Sequence, residues 1–105
     1  MESISFKLEQ FEGPLDLMLH LISQHKLDIF SVEITSVMQQ YLQIIGDMQR
    51  QDMEIASSFL EMASRLVYIK TVSLLPKHEE AEELKKELTG QLLEYQECKR
   101  VAELL

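Results

Sequence analysis

The sequence predicts an all-α fold: a small bundle of about four helices with a short extended strand or arm at its N-terminus. The chain has 105 residues, a length typical of one domain. It contains only three glycines and two prolines, the residues that most often mark turns. Several segments also repeat apolar residues at the three- and four-residue spacing of an amphipathic helix. Together these observations favour long helices over a turn-rich β fold.

The N-terminal segment ISFKLEQF carries a strand pattern. Ile4, Phe6 and Leu8 alternate with polar residues, which is the two-residue period of a β-strand. No second clear strand follows, and a lone strand is unstable in water. We therefore expect this segment to form an extended arm or to pair with another chain.

The first predicted helix begins at Gly13-Pro14, ends near residue 25 and is apolar around most of its circumference. Proline suits the first helical turn, and the helix dipole favours a negative charge such as Asp16 there. Six of the eight residues from 15 to 22 are Leu, Met or Ile. Asp16 and His20 share the narrow polar strip. They could hold a metal, but we interpret them as a solvated strip with a weak ion pair.

The second and third helices are predicted at about 33–48 and 53–75. Asp52 is the predicted N-cap of the third helix, and Pro76 ends it. The third helix carries two apolar stripes about 100° apart. The larger stripe contains Ile55, Phe59, Met62, Leu66 and Ile69. The smaller stripe contains Ala56, Leu60, Ala63, Val67 and Leu74. A central helix of a bundle would need two such faces, and so would a helix that also binds an external partner.

A fourth helix is predicted after the acidic linker KHEEAEE, whose glutamates suit a helix N-terminus. Leu84, Leu88, Tyr95 and Ala102 form a weak heptad seam, diluted by Gly90 and Gln91. A lone helix with so thin a seam is marginal in water, so it needs the bundle or a partner. The apolar ending at Leu104-Leu105 predicts a fragment of a longer protein.

Composition and missing motifs narrow the function classes. The chain has 10 Lys+Arg against 18 Asp+Glu, and its net charge of -8 disfavours direct binding to nucleic acid. No apolar run is long enough to cross a membrane. The lone Cys98 and the absence of a signal peptide suggest a reducing cytoplasm. No nucleotide-binding, hydrolase or metal-site spacing is present, so we expect no catalysis, cofactor or metal. The residue pattern by itself predicts a helical interaction module, because large exposed apolar surfaces usually mark binding faces.

Three stretches resemble a known family. They are FEGPLDLMLHLI, then LDIFSVEITSVMQQYL, and then DMEIASSFLEMASRLVYIKTVSLLP. They are similar to the N-terminal domain of the segregation and condensation protein A family, the bacterial kleisins. The likeness covers about residues 6–105. It departs at IKTVS, where Lys70 is kept but the family usually has a basic residue near Val72.

The resemblance implies a non-enzymatic bridging subunit of a condensin-like SMC complex, with a role in chromosome condensation and segregation. Its N-terminal helical domain would bind the coiled-coil neck of an SMC ATPase, and its middle segment would bind a ScpB dimer. On this basis residues 1–76 form the SMC-binding domain, and residues 77–105 begin the ScpB-binding region. We expect a cytoplasmic protein associated with the nucleoid through that complex.

The resemblance leaves open which stripe of the third helix faces the SMC neck. We expect the larger stripe to do so, because bulky groups suit an external groove: Ile55, Phe59, Met62, Leu66 and Ile69. For ScpB we expect the seam of the fourth helix: Leu84, Leu88, Leu92 and Tyr95. The alternative is a self-contained helical homodimer that uses the same apolar surface symmetrically.

Overall fold

The computed structural model describes residues 8–24, 29, 33–76 and 78–105. Within these residues the chain forms one 3-10 turn and four α-helices, and it contains no strand. The turn is Leu8–Gln10, and the helices are α1 (Pro14–Gln24), α2 (Ile34–Arg50), α3 (Ser57–Ser73) and α4 (His78–Leu104). The predicted all-α class is therefore confirmed.

The predicted N-terminal strand lies mostly outside the described residues, since Ile4 and Phe6 precede Leu8. At Leu8 the strand prediction is wrong. The Leu8 carbonyl accepts a hydrogen bond from the Phe11 backbone N–H at 3.0 Å. A 3-10 turn brings residues three apart to the same side, and Leu8 and Phe11 both pack against the core. The local apolar spacing is therefore satisfied by a turn rather than by an extended chain.

Helix α1 packs extensively against α2 and α4 and makes a smaller contact with α3. Its Leu17, Met18, Leu21 and Ile22 are at most 3% exposed. Leu15 and Leu19 are half-buried against the same core. The three other helices thus cover most of the apolar circumference that made this segment unusual.

The turn after α2 moves the start of α3 to a later residue than predicted. Asp52 adopts a left-handed backbone conformation with φ of 57°. The N–H of Asp52 bonds to the Gln49 carbonyl, and the N–H of Met53 bonds to the Met48 carbonyl. These two bonds form a Schellman motif that closes the C-terminus of α2. The prediction that Asp52 caps α3 is therefore wrong, and α3 begins at Ser57.

Tyr41 links α2 to the first turn of α3 by a polar contact inside the core. Its ring is fully buried, and its hydroxyl donates a hydrogen bond of 2.9 Å to the Phe59 carbonyl. Buried tyrosine hydroxyls usually need such a partner. Burial also raises the pKa of this phenol well above its ordinary value, so the hydroxyl stays protonated as a donor.

Helix α4 is part of the same bundle and packs against α3 and α1. Leu88 and Leu92 are fully buried in one cluster with Leu17, Leu66 and Ile69. The predicted division at residue 76 follows the break between α3 and α4, but the hydrophobic core is continuous across it. The first half of α4 therefore gains its stability from the bundle itself.

Replacing Leu88 by alanine should destabilise the domain by about 2–5 kcal/mol, the usual cost of emptying a well-packed leucine site. The matched control is Leu104→Ala on the same helix, because Leu104 is 72% exposed. We expect that control to change stability by no more than about 0.5 kcal/mol. Urea unfolding followed by circular dichroism measures both variants. Equal stability of the two would contradict the placement of Leu88 in the core.

Candidate protein-binding site

The larger stripe of α3, predicted to face a partner, is turned into the core. Phe59, Met62, Leu66 and Ile69 are at most 7% exposed, and Ile55 is half-buried against them. The expectation that this stripe faces outward is therefore wrong. The physical reason is the area involved: turning the bulky side chains inward removes more apolar surface from water than turning a stripe that includes two alanines.

The smaller stripe of α3 is partly exposed. Ala56 is exposed, Val67 is 50% exposed and Leu74 is 78% exposed, whereas Leu60 and Ala63 are half-buried and pack against the core. Together with Lys70, these positions follow alternating steps of four and three residues: Ala56, Leu60, Ala63, Val67, Lys70 and Leu74. This is the spacing of a coiled-coil seam. We call this set the outer stripe.

A small pocket lies beside the C-terminal end of the outer stripe. It has a volume of about 170 Å³, and its lining comes from α2, α3 and α4. Met38 and Leu42 contribute from α2, Ser73 from α3, and Leu74 from the end of the outer stripe. Most of the accessible lining surface is apolar. The outer stripe and this pocket form one continuous surface, which we call the α2–α3 face.

The residues predicted to contact ScpB are only partly accessible. Leu88 and Leu92 are fully buried, and Leu84 and Tyr95 are half-buried. The expectation that Leu88 and Leu92 present a free seam is therefore wrong, since α1 and α3 already cover it. The exposed apolar residues of α4 lie near its C-terminus instead, at Val101 and Leu104.

Tyr95 and Lys99 on α4 form a polar clamp with the segment that begins α1. The Tyr95 hydroxyl donates a hydrogen bond to Glu12 Oε1 at 2.5 Å. The Lys99 ammonium lies 2.8 Å from Asp16 Oδ1 and 5.8 Å from the centre of the Tyr95 ring. The Glu12 backbone N–H donates to Asp16 Oδ2 at 3.0 Å. Two residue pairs that lie 83 positions apart in sequence thus hold α4 against the Gly13-Pro14 turn.

The clamp shifts the pKa values of Asp16 and Lys99. Burial alone would raise the pKa of the Asp16 carboxyl, but the hydrogen bonds from Lys99 and Glu12 and the charges of Lys99 and His20 lower it overall. The hydrogen bond to Asp16 raises the pKa of Lys99. Asp16 therefore pairs mainly with Lys99 of α4. The His20 ring lies next to the ring of Phe11 instead, with 5.3 Å between their centres. Among the described residues, no group of three or more His, Cys, Asp or Glu is placed to hold a metal ion.

These features define a class: an α-helical bundle domain with a partly exposed apolar stripe on its third helix. Comparison with known proteins identifies the family. Residues 21–105 match the family described as "Segregation and condensation protein ScpA". The chain belongs to this family.

The similar proteins cover almost the whole chain. A protein named "Segregation and condensation protein A" from Oceanobacillus iheyensis is 43% identical over 99% of this chain. One of the same name from Streptococcus pyogenes serotype M5 is 45% identical over 97%. In each case the aligned region is 45% of the relative, so the chain spans less than half the length of these relatives.

Among the helices that the structure describes, none combines the length and the apolar character that a membrane span requires.

Replacing Lys99 by methionine should reduce stability at neutral pH by about 0.5–1 kcal/mol, the range for a partly exposed ion pair. The folded-state pKa of Asp16 is lowered from its ordinary 3.8. Its contribution is therefore present above about pH 4 and lost as pH falls through the folded value. The variant should lose less stability than the unmodified chain between pH 6 and pH 2. Lys86→Met, at an exposed position of the same helix, is the control. Parallel pH profiles for all three chains would contradict a stabilising Asp16–Lys99 pair.

Proposed function

We propose that this domain is the SMC-binding part of a bacterial kleisin, and that it docks on the coiled-coil neck of the SMC protein through the α2–α3 face. Its role would be to link the SMC ATPase to the rest of a condensin-like complex in chromosome condensation and segregation. The observation that carries the proposal is the outer stripe of α3. Family membership supplies the class of partner.

The spacing and size of the outer-stripe residues support docking on a coiled coil. A helix with apolar residues in steps of four and three packs well along another helix, with side chains of one entering spaces of the other. Ala56 is small and exposed, so a partner backbone could approach closely at that end of the stripe. At 1.5 Å per residue, the 17 residues of α3 span about 26 Å, which is enough for several turns of contact.

For ScpB we propose a contact at the exposed end of α4, with Val101 and Leu104, rather than at Leu88 and Leu92. The support is accessibility, because a partner can reach the end of α4 without opening the bundle. The complete ScpB contact would also include a region that the longer relatives have and this chain does not span.

We further propose that the domain acts without catalysis and without contacting DNA directly. The net charge of -8 would repel a phosphate backbone. Any association with the nucleoid would then come through the SMC complex in the cytoplasm.

The double variant Val67→Glu/Leu74→Glu should abolish binding to SMC head–neck protein, because it puts two charges on the outer stripe. Both side chains are at least half exposed, so the helical circular dichroism and the melting temperature should stay near those of the unmodified chain. Calorimetric titration of SMC head–neck protein with the domain measures binding.

The control is Gln91→Glu/Gln96→Glu, which adds the same two negative charges at exposed positions of α4 and should bind normally. Normal binding by the Val67/Leu74 variant would overturn the proposed docking face. Sedimentation of the isolated domain separates this function from the homodimer. A stable dimer that the same double variant dissociates, together with no SMC binding, would favour the homodimer instead.

A further inference from the structure

We propose that the pocket on the α2–α3 face, together with Lys70, selects the partner helix and sets its register. The pocket would receive one apolar side chain, and acidic residues next to that side chain would pair with lysines at the rim. This inference rests on the proposed SMC docking and adds the chemistry that the docked helix must carry.

The size of the pocket suits a single side chain. Its volume of about 170 Å³ is below the roughly 300 Å³ at which small-molecule sites begin. Met38 is almost fully buried, whereas Leu74 is largely exposed at the rim. An apolar knob from a partner helix could therefore enter between α2 and α3 without any rearrangement of the core.

The charge of the pocket is opposite to that of the protein. Its lining includes Lys70 and Lys85 and no carboxylate, in a chain whose net charge is -8. Within the described residues, Lys70 is exposed and forms no ion pair. The Lys85 side chain is 20% exposed and lies 3.5 Å from Glu82, so its charge is partly compensated. Lys70 is therefore the main positive group available to a partner.

Lys70 also occupies a seam position of the outer stripe, between Val67 and Leu74. A single polar residue at a seam position of a coiled coil specifies register, because only one alignment gives it a partner. Basic partner residues at this point would meet like charge, and carboxylates would meet opposite charge. The occupant we propose is thus a neck helix with an apolar residue flanked by Asp or Glu.

The experiment measures the affinity of full-length protein for SMC head–neck protein at about 50 and about 500 mM salt, where screening differs strongly. Lys70→Glu should weaken binding roughly tenfold at low salt and less at high salt. Lys70→Met keeps the length of the side chain without its charge, so binding should lose much of its salt dependence. Lys86→Glu makes the same charge change on α4 outside the pocket and is the control, with affinity unchanged.

Filling the pocket tests the apolar part of the proposal. Ser73→Leu places a larger side chain in the pocket lining and should weaken SMC binding several-fold. If Ser73→Leu lowers the melting temperature, Gln39→Leu replaces it as the test, because Gln39 lines the pocket, is exposed and lies outside the outer stripe.

The results distinguish this inference from the proposed function. If Val67→Glu/Leu74→Glu abolishes binding while both Lys70 variants and the pocket variants bind as the unmodified protein does, the docking face stands and the selective pocket is overturned. If the unmodified full-length protein does not bind SMC head–neck protein, the proposed function itself is overturned. Equal losses in Lys70→Glu and Lys86→Glu would show a general charge effect and would also overturn the role of Lys70.

Discussion

The rest of the structure depends on the burial of α1. A helix with Leu, Met or Ile at six of eight consecutive positions cannot lie on a surface with one face in water. It must be covered on several sides, and α2, α4 and, to a smaller extent, α3 cover it. Each fully buried leucine or isoleucine contributes about 1.5–3 kcal/mol relative to an exposed one. The burial of α1 therefore constrains where the remaining helices lie.

The two apolar stripes of α3 lie in different environments. The bulky stripe completes the core, and the Tyr41–Phe59 hydrogen bond connects α2 to the first turn of that helix. The outer stripe then lies toward the surface. Its most exposed large members are Val67 and Leu74, whereas Leu60 and Ala63 also pack against the core, so the stripe offers a partner apolar contacts chiefly toward its C-terminal end.

Periodicity in the sequence was sufficient to predict the all-α class, the four helices and the apolar content of α1. It could not predict which way α3 turns, since both stripes are apolar and spacing gives only the angle between them. The late start of α3 depends on the left-handed conformation of Asp52, which an aspartate adopts only in a minority of contexts. The clamp of Tyr95 and Lys99 joins residues 83 positions apart, and no local pattern signals such a pairing.

The length and anchoring of α4 have a mechanical consequence. With 27 residues it is a rod of about 40 Å, held at Leu88 and Leu92 by the core and at Lys99 by the clamp. The segment beyond Lys99 is an overhang without buried side chains. A tilt of about 10° around Leu92 would displace Leu104 by roughly 3 Å, given the rise per residue of a helix. The ion pair of Asp16 and Lys99 resists such a tilt, so protonation of this one carboxylate of α1 would leave the C-terminal part of α4 freer to change direction.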